Sequence, residues 1–252
     1  MKKNRSSVVT IGLSFVLFIG GIIDMARNSF ASQTPKEHVT ALDNTPLTDL
    51  QKQHSKLYSQ YRREEKIRDL AAELQEDVQL LRGIPLSGGY PGMPNFKLES
   101  FLASTSCEAD AIIVGRVSSG SSQITEDGTF LFTDYELQIK KVFKNNLHSR
   151  ITRLGNLIVT YPGGVVQLNN RIIRAEDRSF LLLKPGGEYL LFLKFIPETG
   201  AYQVFNSKAN FHIENAQVTK LTEEGIPPAL ANIVDLKSLL RDVKAALTKG
   251  CS

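Results

Sequence analysis

Apolar residues fall along this chain in blocks of different rhythm. From Val8 to Ile23 they are nearly continuous, behind Lys2, Lys3 and Arg5 and ahead of the small-residue site Ser29-Phe30-Ala31. A basic start, an apolar run and a small-residue junction predict a signal peptide over residues 1–31, cut between Ala31 and Ser32. The same run falls a little short of the roughly 20 residues that span a bilayer, and reads alternatively as an uncleaved anchor over residues 8–23.

Residues 32–45 are polar and contain Pro35, which predicts a flexible linker. Leu50, Leu57, Tyr61, Ile67, Leu70, Leu74, Val78 and Leu81 then recur mostly at threes, fours and sevens, so an amphipathic helix is predicted over 46–83. Thr48 followed three residues on by Gln51 forms a capping box, with Thr45 and Pro46 the other start, and Gly83 is the stop. The apolar stripe of such a helix needs a cover, either its own domain or a second copy of the chain paired through 46–83. Six Pro and Gly residues between Pro85 and Pro94 make 84–106 a linker, and they lack the preceding strand and the Gly-Lys-Ser/Thr ending of a phosphate cradle.

From residue 107 the period changes to that of strands. Ala109–Val117 reads as a strand with both faces covered, and Ser118–Gly128 as a polar loop. Thr129–Lys144 reads as a long strand whose apolar parity switches, which predicts bulges near Thr133–Asp134 and Lys140–Lys141. Leu157–Tyr161, the hairpin Val165–Leu168/Arg171–Arg174 about Asn169-Asn170, Glu188–Ile196 and Ala201–Phe205 follow, with Ala209–Ile213 as an edge strand. Leu236, Leu239, Leu240, Val243, Ala246 and Leu247 mark a helix at about 235–249, capped by Asp235, within the segment 217–252. The expected fold is mainly β with flanking helices: a small barrel over 107–216, preceded by an amphipathic helix and followed by a C-terminal helix.

Charge narrows the function classes. The chain has 30 Lys and Arg against 26 Asp and Glu, but residues 1–31 hold four of the bases and one of the acids. What remains is 26 bases against 25 acids, a net of +1 without the broad positive field that nucleic acid requires. Cys107 and Cys251 are the only cysteines, a candidate disulfide in an oxidising compartment.

Reactive constellations are missing from the sequence pattern. His38, His54, His148 and His212 stand at no metal-ligand spacing, so no metal or other cofactor is expected, and no nucleophile elbow is present. Glu126, Asp127, Asp134, Glu136 and Glu188 are the carboxylates that a barrel could bring together as an acid/base pair. Tyr90, Tyr161 and Tyr202 are aromatics that loops or a barrel mouth could present.

The runs Cys107-Glu108-Ala109-Asp110-Ala111-Ile112-Ile113-Val114-Gly115, Lys140-Lys141-Val142-Phe143-Lys144 and Gly186-Gly187-Glu188-Tyr189-Leu190-Leu191-Phe192 resemble the oligonucleotide/oligosaccharide-binding (OB) barrel of tissue inhibitors of metalloproteinases and netrin modules. They look closer still to uncharacterised secreted bacterial proteins that share the Ala-Asp-Ala-Ile-Ile-Val-Gly and Gly-Glu-Tyr-Leu-Leu-Phe-Leu signatures. The resemblance covers residues 107–214 and implies an OB-like barrel. The inhibitors' zinc-chelating N-terminal cysteine has no counterpart, because Cys107 lies far downstream of Ser32.

The expectation is a secreted or periplasmic, non-enzymatic binding or structural module that meets a protein or polymer outside the cytoplasm and touches membrane only through its N-terminal segment. The alternatives are a hydrolase or transferase using barrel-cleft carboxylates, and a proteinase-inhibitor-like protein.

Overall fold

Two long strands with apolar side chains on both faces organise the molecule. The computed structural model describes residues 40–41, 46–58, 66–73, 76–82, 97–147, 149–222, 232–233 and 235–249, all within one unit, Thr34–Ser252. Its elements in chain order are β1 (Thr40–Ala41), α1 (Asp49–Leu57), α2 (Ile67–Glu73), β2 (Val78–Arg82), α3 (Leu98–Glu108), β3 (Ala111–Ile124), β4 (Leu131–Lys144) and β5 (Asn156–Pro162). There follow β6 (Gly164–Leu168), β7 (Arg171–Asp177), β8 (Glu188–Ile196), β9 (Ala201–Val204), β10 (Phe211–Glu214), β11 (Gln217–Lys220) and α4 (Leu236–Thr248).

β3 pairs antiparallel with β4 and β8, β4 with β5, and β8 with β9. The ring closes through a parallel contact of β5 and β9, Val159 opposite Tyr202 and Thr160 opposite Gln203. Five strands therefore run β8-β3-β4-β5-β9 and back to β8, a partly closed ring of the OB-like kind. Its interior is solid. Tyr161, Tyr189 and Tyr202 fill it with Ile113, Leu137 and Leu191, all at most 1% exposed. Tyr161 donates its hydroxyl to the carbonyl of Leu181, and burial pushes its pKa well up. β10 and β11 extend the sheet beyond the first half of β8.

The parity switch in β4 has a different cause at each place. At Lys140 the register does shift: Val114 faces Lys141 and Gly115 faces Ile139, leaving Lys140 as the extra residue of a bulge, as expected. At Thr133–Asp134 there is no bulge, and the pairs Ser122/Thr133 and Ser121/Asp134 stay in register. Phe130 and Phe132 are apolar because they face outward into a second core, whereas Tyr135, Leu137 and Ile139 face the barrel interior.

That second core lies under a four-stranded sheet, β1-β6-β7-β2, in which β6 and β7 form a hairpin about Asn169 and Asn170, both at positive φ (50° and 62°). A third core seats α3 and α4 on the outer faces of β3, β8 and β10, with Leu239 and Val243 packed against Leu190 and Phe192 among others. Burying each such side chain contributes roughly 1.5–3 kcal/mol. Asp235 caps α4 by accepting the Ser238 N–H at 2.7 Å, as its sequence predicts. Lys144 donates to the carbonyls of Ser106 and Cys107 at the negative end of α3.

Several sequence boundaries need correction. The helix expected over 46–83 is not one helix: α1 ends at Leu57, and Val78–Arg82 is a strand paired parallel with Ile173–Asp177. The helical stripe takes Val78 with Leu81, whereas the buried pair is Val78 and Leu80, two apart, because the strand pairs with β7. Within the expected linker 32–45, Thr40–Ala41 pairs with Val166–Gln167. Within the expected linker 84–106, residues from Leu98 onward form α3.

The expected loop Ser118–Gly128 is strand as far as Ile124. Its serines read as loop because they are polar, yet the buried Ser122 hydroxyl pairs with Thr133 Oγ1 at 2.8 Å and accepts the Val165 N–H. Ala209–Ile213 is no edge, since β11 lies beyond β10, so the sheet runs to Lys220 rather than stopping at 216.

Candidate functional site

An OB barrel takes oligomeric ligands on the face of its second and third strands, between the loops that join its first to its second and its fourth to its fifth strand. Here that is the outer face of β4 and β5, flanked by the loops Thr125–Phe130 and Pro197–Gly200. Local sequence places a helix there. Thr48 Oγ1 accepts the Gln51 N–H at 3.2 Å and Gln51 Oε1 accepts the Thr48 N–H at 2.8 Å, so the expected capping box starts α1.

The helix lays His54, Ser55 and Tyr58 on the barrel. The Tyr58 ring stacks on Phe132 at 5.5 Å and its hydroxyl donates to Thr160 Oγ1 at 3.1 Å. The Ser55 hydroxyl accepts the Glu126 N–H at 2.7 Å, which ties the helix to one flanking loop. His54 ties it to the other. Its Nδ1 lies 2.8 Å from Asp134 Oδ1 on β4, and its Nε2 3.0 Å from Thr199 Oγ1 in the β8–β9 turn.

Since an ionised carboxylate only accepts, Nδ1 carries the hydrogen toward Asp134, and in the neutral ring Nε2 accepts the Thr199 hydroxyl. Thr199 Oγ1 in turn accepts the Ala201 N–H at 3.3 Å. Hydroxyl, imidazole and carboxylate thus stand in the order of a nucleophile, its base and the group that orients the base. Exposure argues for a clamp: His54 is 0% exposed, and every polar atom of its ring is satisfied by the elements it joins.

The candidate carboxylates separate into places with different duties. Asp134 is held by His54, while Glu136, on the same face of β4, accepts from Ser119 and Asn156. Asp127 accepts from the Thr125 hydroxyl and from the N–H and hydroxyl of Thr129, which shapes its own loop. Glu126 joins Asp127, Lys52, Lys66 and Arg68 around a surface cleft of about 410 Å³. Glu188 lies at another cleft with Arg116 and His212.

Of the candidate aromatics, Tyr161 and Tyr202 are interior packing and not mouth residues, and Tyr90 lies outside the described residues. His212 sits 5.0 Å from the Tyr189 ring, and His38 and His148 lie outside the described residues. Among the described residues no cluster of three His, Cys, Asp or Glu could hold a metal, and no helix is long and apolar enough to cross a membrane. Cys107, in the last turn of α3, is not a free thiol. Cys251 and the junction Ala31–Ser32 lie outside the described residues.

Sequence reasoning named Asp134 among the carboxylates and His54 among the scattered histidines, but nothing joined them or pointed to Thr199. His54, Asp134 and Thr199 are separated by 80 and 65 positions, and no motif spacing joins them. The one legible signal is that His54 and Tyr58 stand four apart in a helix, so they share a face.

No protein-family model matches the chain, and no curated protein is significantly similar to it.

Proposed function

We propose that the protein is exported by its apolar leader and acts outside the cytoplasm as a non-enzymatic binding or structural module, meeting a protein or polymer with its outer surface. One observation carries this reading: the barrel is filled by its tyrosines, and α1 covers part of the face on which OB barrels take ligands, so the fold displays surfaces rather than enclosing a substrate. The resemblance to secreted OB-like proteins supports the compartment. So does the pairing we propose for Cys107 with Cys251, since α3 and α4 already meet where Lys249 contacts Glu99.

Intact-mass measurement of the protein from host fractions tests both proposals. The expected species begins at Ser32, or retains residues 1–31 in the membrane fraction, and takes up alkylating reagent only after reduction. A full-length chain in the cytosol with both thiols alkylated without reductant would rule the reading out.

A second reading, a hydrolase or transferase, draws on the Thr199–His54–Asp134 relay. It asks the Thr199 hydroxyl, already engaged by Ala201, to reach a substrate beside a sealed imidazole. Labelling of Thr199 by a fluorophosphonate would establish it, and absence of label on the folded protein would dismiss it.

A further inference from the structure

In the loop between β4 and β5, residues 145–155, two asparagines are engaged by hydrogen bonds while Leu147 and Leu154 stand in water. Asn145 Nδ2 donates to the carbonyl of Ile151 and its Oδ1 accepts the Ile151 N–H, at 2.9 and 2.8 Å. Asn146 is buried and donates to the Tyr202 hydroxyl, which donates onward to the carbonyl of Ser149. With Asn146 turned inward, Leu147 is 97% exposed. Leu154 is 66% exposed and holds a left-handed backbone, φ 66°, that a glycine or asparagine would adopt with less strain. Its N–H is fixed to the carbonyl of Ile139 at 2.9 Å, so the loop holds the strained conformation firmly.

Positive charge gathers at the same loop. A cleft of about 510 Å³ is lined by Lys140, Lys141, Arg150 and Arg153 and by no acidic residue. No carboxylate of the described residues pairs with Lys141, Arg150 or Arg153. The bulge at Lys140 helps to set this cluster, and a groove along α4 that shares Lys141 adds Lys237 and Lys244 beside one acid, Asp235.

A soluble polyanion would answer the cations and leave Leu147 exposed, and an acidic protein would need apolar side chains placed beside its carboxylates to answer both. A lipid bilayer with anionic headgroups answers both, phosphates for the bases and acyl chains for the leucines. We propose that loop 145–155 docks the protein on an anionic phospholipid surface, with Leu147 and Leu154 in the interface and Lys140, Lys141, Arg150 and Arg153 on headgroup phosphates. This goes beyond the function proposed above and is independent of export, because purified protein meets vesicles whatever its compartment.

The chain contains no tryptophan, so Leu147→Trp gives a single reporter. In the full chain its emission is expected to shift to the blue with vesicles of phosphatidylglycerol and phosphatidylcholine, and not with phosphatidylcholine alone. Adding Arg150→Ser and Arg153→Ser should raise the lipid needed for half the shift about thirty-fold at low salt, a gap that added salt narrows. Ile172→Trp, 40% exposed on β7, should report no shift.

An unmoved Leu147→Trp spectrum would overturn the proposal, and would leave any vesicle attachment to residues 1–31. So would an equal shift at Ile172→Trp or with neutral vesicles. A shift produced by inorganic polyphosphate but not by vesicles would assign the cations to a polymer and likewise overturn it.

Discussion

Replacing His54 with alanine is expected to lower folding stability by roughly 2–4 kcal/mol, read as a fall in the urea midpoint with little change in slope. One lost neutral hydrogen bond would cost about 1 kcal/mol. The larger figure follows from what the imidazole leaves behind: a wholly buried volume, a Thr199 hydroxyl without its acceptor, and the Asp134 carboxylate, 11% exposed, without its donor. Asp134 keeps some water, which holds the effect below that of a fully sealed ion pair.

A double-mutant cycle of His54→Ala with Asp134→Ala should return a coupling of about 1–3 kcal/mol, because the second change removes the stranded charge. The damage should also be local. Amide exchange in 49–58 is expected to quicken while that of β3 and β8 holds, and the uncovered Phe132 should bind a hydrophobic dye. A cost under about 0.5 kcal/mol with unchanged exchange would mean that Tyr58 and Ser55 alone fix α1.

Whatever local chemistry determines was legible before the fold was known. Thr48 and Gln51, the Asn169-Asn170 turn, the bounds of β8 and the Asp235 cap each follow from a few neighbouring residues, and the structure has all of them. Elements that depend on distant partners were misread. Val78 and Leu80 become strand only because β7 offers its edge, and Ser122 becomes buried strand only because Thr133 and Val165 meet its hydroxyl.

The site fell into the same gap. The apolar stripe marked Leu50 and Leu57 in the first helix; Leu57 does pack on the second core, but the stripe missed the polar-tipped residues that fix the helix in place. Leu50 is 37% exposed, and the face turned to the barrel is His54, Ser55 and Tyr58, residues with a polar tip that becomes satisfied only through β4, β5 and the two flanking loops. A helix that docks through hydrogen bonds as well as apolar contact is placed by both, and periodicity arguments weigh hydropathy alone.

Gly163→Ala is expected to cost roughly 3 kcal/mol or more, because strain and collision act together at the crossing from barrel to second sheet. Gly163 follows the end of β5 with φ +91°, and an added Cβ would lie 2.6 Å from the carbonyl oxygen of Ala175 and 3.1 Å from Leu182 Cδ2. Neither side can yield cheaply. The Gly163 N–H donates to the carbonyl of Leu131 and its own carbonyl accepts the Thr133 hydroxyl, while Ala175 is held in register with Gly164 on one side and Leu80 on the other.

Gly200 supplies the comparison: it too is left-handed, φ +68°, but nothing lies within 4 Å of the Cβ it would gain, so Gly200→Ala should cost about 1 kcal/mol of backbone strain. The difference between the two variants measures the steric part, and equal costs would show that β7 can move away from the barrel. If it cannot, the Gly163 variant should also quicken amide exchange in β6 and β7, and in α1 above the same core, before it reaches the five-stranded ring.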